Sequence, residues 1–509
     1  MKKGFLFRLS IVAALLPASV AAQDVREANF QFKQENYQYA LKLYLGAYKK
    51  DTSNVDYAYS IGVCKTKTYS KPDEALDYLL KAEKKYGQDG DFLVAMVYAY
   101  FYRGDFAKAR EALRKAEAKL KNDRELKLLS AYIGNAEKMV QKPVDVTFVN
   151  LGKDINSALD ETTPMITPAN DNLYYTSNQK FDTQLKLYAT DIFSSYSEEG
   201  DFKKGRVLSP ICTLDDEYVG GLSDDGSTLY FRLDGLDAFQ DLMSTEIQKN
   251  TVKGKNKLSE KINTKKEEQS AWRVGDTLFF SSSREGGLGG LDLYFAVQLP
   301  TGEWSDAESL GNKINTEYDE SYPMVSADGR KLYFCSNGTK SMGGYDIFVC
   351  NIDPKTRALS EPRNIGYPLN DVYDNKTIAY TPDGNYAYVS AIKSESFGGA
   401  DIYRVIFNDR DPLVKLYQVK LVTQEGDQKV PLGSAGQDLK ITVQTKGSTV
   451  YGTYVYNPTT SIVNVALLPG NYVLQIEGAN IEPYSTKLNV ANAPGKKIEN
   501  INAVVKPKK

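Results

Sequence analysis

Small residues recur at an almost constant spacing through the first part of the chain. Between positions 24 and 142, two sets of three alanines repeat with nearly the same interval, and a large apolar residue follows each member of the first set by one helical turn. The sets are Ala40, Ala75, Ala109 and Ala47, Ala82, Ala116. A period of about 34 residues accommodates two helices and a turn. The pattern predicts three helix hairpins and a capping helix from Leu126 to Met139, with small residues where two helices approach closely.

A second pattern of short strands and Gly/Asp turns follows over positions 146–409. Five times, at nearly even intervals, an aliphatic residue that is usually followed by Asn precedes an acidic pair or, in the last unit, Asp374-Asn375. The five starts are Ile155, Ile211, Ile262, Ile314 and Leu369. A turn such as Asp328-Gly329 then leads into a strand such as Leu332-Tyr333-Phe334. Units of about 50 residues with several short strands are typical of propeller blades. The pattern predicts five blades, or six if flanking strands close the ring.

Alternating strands return over positions 413–507, where they predict a small β-sandwich. The clearest runs are Tyr417 to Thr423, Leu439 to Gln444, Ile462 to Leu467 and Tyr472 to Ile476. The predicted fold class is therefore multidomain α + β: an α-solenoid over 24–142, a β-propeller over 146–409 and a β-sandwich over 413–507.

Each region resembles a known family. The alanine pattern is similar to that of tetratricopeptide repeats. The fourth blade, with Pro323, Ser326, Asp328 and Gly329 followed by Gly343-Gly344-Tyr345-Asp346, resembles the WD40-like propeller repeat of TolB and related envelope proteins. In the first blade Lys186 takes the place of the final Asp, and the Gly-Gly pair is missing from the first two blades. Leu468-Pro469-Gly470 and the strand after it resemble a motif of carboxypeptidase-regulatory-like sandwiches.

The order of the three regions resembles that of PorE-like proteins, periplasmic components of the type IX secretion and gliding machinery of Bacteroidetes. That resemblance implies a scaffold that binds other envelope proteins, with an outer-membrane complex as its partner. PorE-like proteins also carry a peptidoglycan-binding OmpA-like domain, which has no counterpart before Lys509. Direct binding to peptidoglycan is therefore not expected.

Positions 1–22 have the pattern of a secretory signal peptide. Lys2, Lys3 and Arg8 precede the apolar stretch Leu9–Leu16, and Val20-Ala21-Ala22 forms a small-residue cleavage site. A periplasmic location, peripheral to the outer membrane, follows as an expectation, and no later segment is apolar enough to predict a membrane span. The formal net charge of −2 gives no reason to predict nucleic-acid binding.

The composition limits the kinds of catalytic and metal-binding site that the chain can form. The chain has no His, which excludes Ser-His-Asp and Cys-His nucleophile pairs as well as His-bound zinc. The four cysteines match no metal motif by spacing. Cys335 and Cys350 lie on neighbouring predicted strands, so two interpretations stay open: a disulfide in an oxidising compartment, or two buried apolar side chains.

The repeated acids Asp292, Asp346 and Asp401 suggest calcium or catalytic carboxylates at first sight. Recurrence in several blades favours a structural role instead, because a catalytic pair is needed only once. Ser223–Thr228 is similar to a sialidase Asp-box, but its Asp-to-Gly spacing does not fit. We therefore predict no catalytic, cofactor-binding or metal-binding residue, and no cofactor.

Three functions compete on these observations. The favoured hypothesis is a non-catalytic scaffold that binds proteins on the concave side of the helical repeats and on the top of the propeller. The alternatives are a glycan-binding sensor, for which the 36 tyrosines are suited, and a glycan- or peptide-processing enzyme built on the propeller. Carboxylates that converge in the propeller channel, one with a raised pKa, would favour the enzyme.

Overall fold

The computed structural model describes residues 24–508 except 185, 199–200, 236–237, 250, 382–383, 385, 409–414, 434–437, 446–448, 468–469 and 491–497. The proposed signal peptide, the boundary between propeller and sandwich, Asp383 of one predicted turn, and Leu468-Pro469 lie outside the described residues. Contacts divide the chain into two units, the first made of Met1–Lys138 with Asn178–Ala189 and the second of Met139–Ser177 with Thr190–Lys509.

The first unit contains helices that pair as antiparallel hairpins. The helices are α1 (24–33), α2 (Tyr37–Tyr48), α3 (Val55–Thr68), α4 (Ala75–Tyr86), α5 (Gly90–Tyr102), α6 (Phe106–Lys119) and α7 (Arg124–Met139). Side chains at the N-caps accept hydrogen bonds from the first turn of α3, α5 and α6, where Asn54, Asp89 and Asp105 stand. The predicted three hairpins and a final helix are confirmed as a helical, repeat-like region.

The repeated alanines mark the contacts between helices. Five of the six are buried, and Ala47 is the exception because it is only partly covered. The closest approach is at Gly62 of α3, where a Cβ atom would lie 2.5 Å from Cγ of Leu79 and 3.3 Å from the carbonyl oxygen of Ala75. Helices α3 and α4 can therefore pack at this distance only because residue 62 has no side chain.

We expect Gly62→Ala to destabilise the helical unit. Overpacking against Leu79 costs about 1–3 kcal/mol, and the better helix propensity of alanine offsets only part of it. The matched control is Gly46→Ala in α2, where no atom lies within 4 Å of the new Cβ, so that stability should rise by up to about 1 kcal/mol. The measurement is thermal unfolding followed by circular dichroism at the helical band. Equal effects of the two substitutions would contradict the proposed packing.

Five antiparallel sheets follow one another along the second unit. The first has β2 (Glu161–Ile166), β3 (Asn172–Asp182), β4 (Leu187–Glu198), β5 (Asp201–Phe202) and β6 (Arg206–Val207); the second has β7 (Asp216–Leu222), β8 (Thr228–Gly235), β9 (Ala238–Gln248) and β10 (Thr251–Lys257); the third has β11 (Glu268–Val274), β12 (Thr277–Ser282), β13 (Asp292–Val297) and β14 (Glu308–Ser309); the fourth has β15 (Glu320–Val325), β16 (Lys331–Ser336), β17 (Asp346–Asn351) and β18 (Arg363–Asn364); the fifth has β19 (Ile378–Tyr380), β20 (Tyr386–Ala391) and β21 (Asp401–Phe407). An early strand, β1 (Val146–Asn150), pairs with β21 and completes the fifth sheet.

Neighbouring sheets share apolar cores. Leu242 of the second sheet packs with Phe280 of the third, and Leu293 of the third packs with Phe334 of the fourth. The fifth sheet packs on the first, since Tyr388 shares a core with the buried residues of β2 and β3. This closed succession of small sheets is a propeller-like ring, as the strand pattern predicts.

Buried asparagines join each sheet to the one before it. Oδ1 of Asn315 accepts the N–H of Leu293 at 2.8 Å, and its Nδ2 donates to the Leu293 carbonyl at 3.0 Å. The same double hydrogen bond recurs at three other junctions, with the asparagines Asn156, Asn263 and Asn370. At the junction of the first and second sheets Cys212 takes this position, and its Sγ accepts from the N–H of Ile192 at 3.3 Å. The recurring Ile-Asn pair of the sequence is therefore a link between sheets.

We expect Asn315→Ala to destabilise the propeller-like ring by about 2–4 kcal/mol, because two buried backbone groups of Leu293 lose their partner. The control is Asn351→Ala, an exposed asparagine at the end of β17, with little expected effect. Denaturant unfolding can be followed by tryptophan fluorescence, since Trp272 and Trp304, the chain's two tryptophans, both lie in this region. Similar midpoints for the two variants would show that the link is dispensable.

Part of the β3–β4 hairpin belongs to the first unit. Lys186 at its tip pairs with Glu27 at 2.8 Å, and its carbonyl accepts from Asn36 Nδ2 at 2.9 Å. The ring of Phe181 lies 5.3 Å from the ring of Tyr39 and beneath the ammonium group of Lys42. The segment Asn178–Ala189 is thus bound to α1 and α2 by both charge and aromatic contacts.

The C-terminal region has two sheets around one apolar core. One contains β22 (Lys415–Glu425), β23 (Gln428–Pro431), β26 (Ile462–Leu467) and β29 (Ile498–Val504), and the other contains β24 (Lys440–Thr445), β25 (Val450–Tyr454), β27 (Gly470–Gly478) and β28 (Ile481–Val490). Asn464 Nδ2 donates to the carbonyl of Pro168 in the first propeller-like sheet at 2.8 Å, so the two parts of this unit are in contact.

The structure decides between the two interpretations of Cys335 and Cys350. Both thiols are free and buried. Cys335 packs with the core shared by Tyr322 and Val219, whereas Cys350 packs with Leu332 and Leu293 in another core, on the opposite face of the same sheet. A disulfide between them is excluded because the two side chains point apart. Among the described helices, none has the length and apolarity that a membrane span would require.

Candidate functional site

The repeated aspartates hold turns at the start of the third strand of a sheet. Oδ2 of Asp346 accepts the N–H of Met342 at 2.8 Å, and Oδ2 of Asp401 accepts that of Phe397 at 2.9 Å. Asp292 accepts the N–H of Leu288 in the same way. The sequence analysis expected this structural role for the three residues.

The acidic pair of each repeat is also occupied by structural hydrogen bonds. Glu320 is fully buried and accepts from the N–H and the hydroxyl of Thr316 at 2.7 and 2.8 Å, and from Ser336 at 2.7 Å. Desolvation raises the pKa of Glu320, although these hydrogen bonds oppose the shift. Its neighbour Asp319 accepts the N–H of Leu291 from the preceding sheet at 3.0 Å.

The prediction that Lys186 replaces the final Asp of the first blade is wrong. Asp191 holds that position, because the following residue, Ile192, makes the backbone contact to Cys212 that its counterparts make to the linking asparagines. The β3–β4 hairpin of the first sheet is longer than its counterparts and has no Gly-Gly pair. The spacing of the other blades therefore points to the wrong residue in the first blade. Lys186 lies instead on the segment bound to α1.

Side chains from several inner strands converge at the centre of the ring. Met165 of the first sheet, Tyr322 and Met324 of the fourth, and Ile378 of the fifth line one narrow cavity together with Lys376. This cavity is lined largely by apolar and aromatic groups.

Charged groups near this cavity are paired with one another. Arg232 contacts Glu267 at 2.9 Å, and Nζ of Lys376 lies 3.6 Å from Asp374. Desolvation opposes the charge of Lys376, but Asp374, Tyr322 and Cys335 together outweigh it, and the pKa of the amine is raised. The hydroxyl of Tyr345 donates to Asp319 at 3.1 Å. These carboxylates form ion pairs and hydrogen bonds with neighbouring side chains.

A cluster of tyrosines on the first helices of successive hairpins is the best candidate site for binding. We call it the tyrosine face and define it by Lys67, Tyr69, Tyr98, Tyr102, Glu125 and Tyr132, which belong to α3 and the residue after it, to α5 and to α7. Rings of Tyr69 and Tyr102 meet edge to face with centroids 5.6 Å apart, and those of Tyr98 and Tyr102 lie 5.5 Å apart.

The two charged side chains of the tyrosine face, Lys67 and Glu125, both contact Tyr98. Tyr98 donates its hydroxyl to Glu125 at 2.7 Å, the ammonium of Lys67 lies 5.8 Å from the ring centroid of Tyr98, and Lys67 and Glu125 approach to 4.0 Å. The side chains of Lys67 and Glu125 are 43% and 46% exposed, while Tyr102 and Tyr132 are buried and support the surface from below. Desolvation, followed by the charge of Glu125, raises the pKa of Tyr98 well above its usual range. The phenol therefore stays neutral and able to donate.

Such a surface suits a polypeptide ligand. Tyrosine offers a rigid apolar ring with a polar tip, and the flanking charges of opposite sign match charged side chains on a partner. The repeat pattern predicts binding on the concave side of the helices without indicating individual residues. The i, i+4 spacing of Tyr98 and Tyr102 was the available signal, because residues so spaced share one helix face.

Comparisons with known proteins show no family. No family model matches the chain, and no curated protein does so either. Among solved structures, TolB from Acinetobacter baumannii is 13% identical, with 56% of this chain and 70% of that chain covered and a TM-score of 0.29. The type III secretion chaperone SycD from Yersinia enterocolitica, in complex with a peptide of the translocator YopD, is 18% identical over 24% of this chain and 93% of its own, with a TM-score of 0.19. A prolyl endopeptidase structure is 11% identical over 61% and 38%, with a TM-score of 0.27. These likenesses are too distant to indicate a function.

The Ser223–Thr228 segment is a hydrogen-bonded turn. Asp225 accepts from the hydroxyls of Ser223 and Ser227 at 2.6 and 2.8 Å, and Gly226 supplies the positive φ of 70°. Desolvation, with a smaller contribution from the charge of Asp225, raises the pKa of the neighbouring Asp224 to about 6.

We expect Asp224→Asn to remove a pH dependence of stability. A raised pKa in the folded state means that this group stabilises the fold most below its ordinary pKa of 3.8 and that the contribution is lost as pH rises to about 6. As pH rises across that window, the free energy of unfolding of the variant should increase by up to about 2 kcal/mol relative to that of the wild type. Urea unfolding at several pH values, monitored by tryptophan fluorescence, measures the difference.

Asp353→Asn provides a control of opposite sign. The N–H groups of Thr356 and Lys355 lower the pKa of exposed Asp353, so this variant should lose stability relative to the wild type as pH rises through 3.8. A parallel pH profile for Asp224→Asn and wild type would refute the assignment of the raised pKa.

Proposed function

We propose that this protein is a non-catalytic, periplasmic scaffold that binds other envelope proteins and belongs to an outer-membrane assembly. The observation that carries the proposal is the tyrosine face, where neutral tyrosines and a Lys–Glu pair from three helices form one surface. Aromatic groups supported by buried neighbours are the usual anchors of protein interfaces.

Fold-level features support a modular binding protein. Three helix hairpins suit tetratricopeptide repeats, and five small antiparallel sheets with β1 closing the last one suit a five-bladed propeller. The two packed sheets at the C-terminus suit a carboxypeptidase-regulatory-like sandwich. Taken in this order, they resemble the PorE-like proteins of type IX secretion and gliding, and we extend the proposal to that kind of machinery.

The arrangement of acids favours binding over catalysis. Among the described residues of the ring, Glu267, Asp374 and Asp319 each engage a cation or a hydrogen-bond donor. The lack of histidine further reduces the available acid–base chemistry. A glycan sensor or a processing enzyme is then the alternative that the experiment below must separate from the scaffold.

We expect substitutions in the tyrosine face to release the partner. Cells that express tagged full-length protein are crosslinked, envelope fractions are isolated, and co-purified proteins are quantified by mass spectrometry. Tyr98→Ala and the exposed charge reversal Glu125→Lys should each reduce recovery of the partner by about tenfold or more, because they remove a central anchor or its charge complement. Matched controls are Tyr100→Ala on another face of α5 and Lys127→Glu on α7, which should recover the partner as the wild type does.

Two results would contradict the proposal. Recovery of the protein without envelope partners argues against a scaffold and directs attention to glycan and peptide substrates. Recovery of a partner that is equal for Glu125→Lys and Lys127→Glu, in variants with unchanged helical circular dichroism, would mean that the tyrosine face is not the binding surface.

A further inference from the structure

The junction of the first and second sheets contains a thiol between two buried carboxylates. Asp191, Cys212 and Glu217 each place one potential ligand atom within 4.8 Å of the other two. The side chains of Asp191 and Glu217 are almost completely buried, at 4% and 0% exposure, and Cys212 is partly covered. Asp191 belongs to β4, Cys212 to the connection between β6 and β7, and Glu217 to β7.

Glu217 differs from its counterparts in the ring. At three other junctions, both oxygens of the glutamate accept hydrogen bonds, and a serine of the neighbouring strand supplies one of them. Leu233 occupies the position of that serine opposite Glu217. Both bonds from Thr213 reach Oε1 of Glu217, and Oε2 is buried without a hydrogen-bond partner among the described residues.

An unsatisfied carboxylate oxygen is costly in the interior of a protein. The carboxylate of Asp191 and the thiol of Cys212 lie close to this carboxylate, one of whose buried oxygens has no hydrogen-bond partner among the described residues.

Cys212 is the second departure from the repeat. Its thiol stands where the other junctions have asparagine, which can satisfy both backbone groups of the preceding strand. The Cys212 thiol accepts the N–H of Ile192 at 3.3 Å and donates to the Ile192 carbonyl at 3.5 Å, but a thiol is a weaker donor and acceptor than an amide. The exchange therefore loses structural hydrogen bonding and adds a metal ligand.

We propose that Asp191, Cys212 and Glu217 bind a divalent cation of the zinc class. A thiolate with two carboxylates suits borderline-soft ions such as Zn²⁺ and Co²⁺, whereas Ca²⁺ and Mg²⁺ require more oxygen ligands and disfavour sulfur. The thiol proton leaves to solvent when the metal binds. Three protein ligands leave a fourth position for water.

The cation has a structural consequence. Because its ligands come from the first sheet, the connection and the second sheet, it fastens the junction at which the asparagine link is missing. This inference is independent of the proposed scaffold function, since it concerns the stability of the ring and not its partners.

The test is Co²⁺ titration of the purified full chain after treatment with a chelator. One equivalent should produce a near-ultraviolet thiolate-to-cobalt charge-transfer band, and Zn²⁺ should displace the Co²⁺ and raise the thermal midpoint of the protein. Cys212→Asn is the decisive variant because it restores the residue of the other junctions. This variant should be at least as stable as the metal-free wild type. It should give no charge-transfer band, and Zn²⁺ should not raise its thermal midpoint.

Two further variants make the outcome specific. Glu217→Gln should weaken Co²⁺ binding by about tenfold or more, on the scale of losing one ligand. Cys350→Ala, which removes a buried thiol elsewhere, should leave the band unchanged. Absence of the band in the wild type, or a band and a Zn²⁺ shift that persist in Cys212→Asn, would overturn the assignment and leave bound water as the partner of Glu217.

Discussion

At every junction between sheets, the backbone N–H and carbonyl of a residue near the start of the third strand need hydrogen-bond partners. This requirement organises the propeller-like ring. A buried N–H or carbonyl without a partner costs a large part of the stability of a domain. Four junctions meet it with an asparagine side chain, as Asn315 does for Leu293, and the fifth uses the thiol of Cys212. The acidic residues that follow hold the turn and the neighbouring backbone, so the polar residues of the repeat are a connected structural set.

That use of acids bears on function. Repeated carboxylates in a ring invite a metal or catalytic interpretation, yet Asp292, Asp346 and Asp401 are engaged by turn amides. The informative place is the junction that departs from the pattern, where cysteine replaces asparagine and leucine replaces serine. A structural repeat thus supplies its own internal comparison, because a residue can be judged against its counterparts in the same chain.

The helical unit obeys a different constraint. Small residues such as Gly62 and Ala75 bring helices close together, and the resulting stack aligns the outer faces of α3, α5 and α7. Tyrosines that are distant in sequence then form one surface with Lys67 and Glu125 at its edge. The packing inside the hairpins therefore also determines which side chains of successive hairpins come together in the tyrosine face.

The sequence by itself determined the elements and their order, because the helical repeat, the blade repeat and the alternating strand pattern each follow from local backbone geometry. It also indicated that Asp292 and its equivalents are structural, since recurrence is visible without coordinates. Tertiary structure alone decided that Asp191, and not Lys186, belongs to this set. A longer hairpin changes the number of residues before this aspartate, but it does not change the position of the aspartate in the sheet. It likewise separated Cys335 from Cys350 and brought Tyr98 beside Glu125, and Asp191 beside Glu217. Such contacts join residues that are far apart in sequence, and their geometry depends on how whole sheets and helices pack.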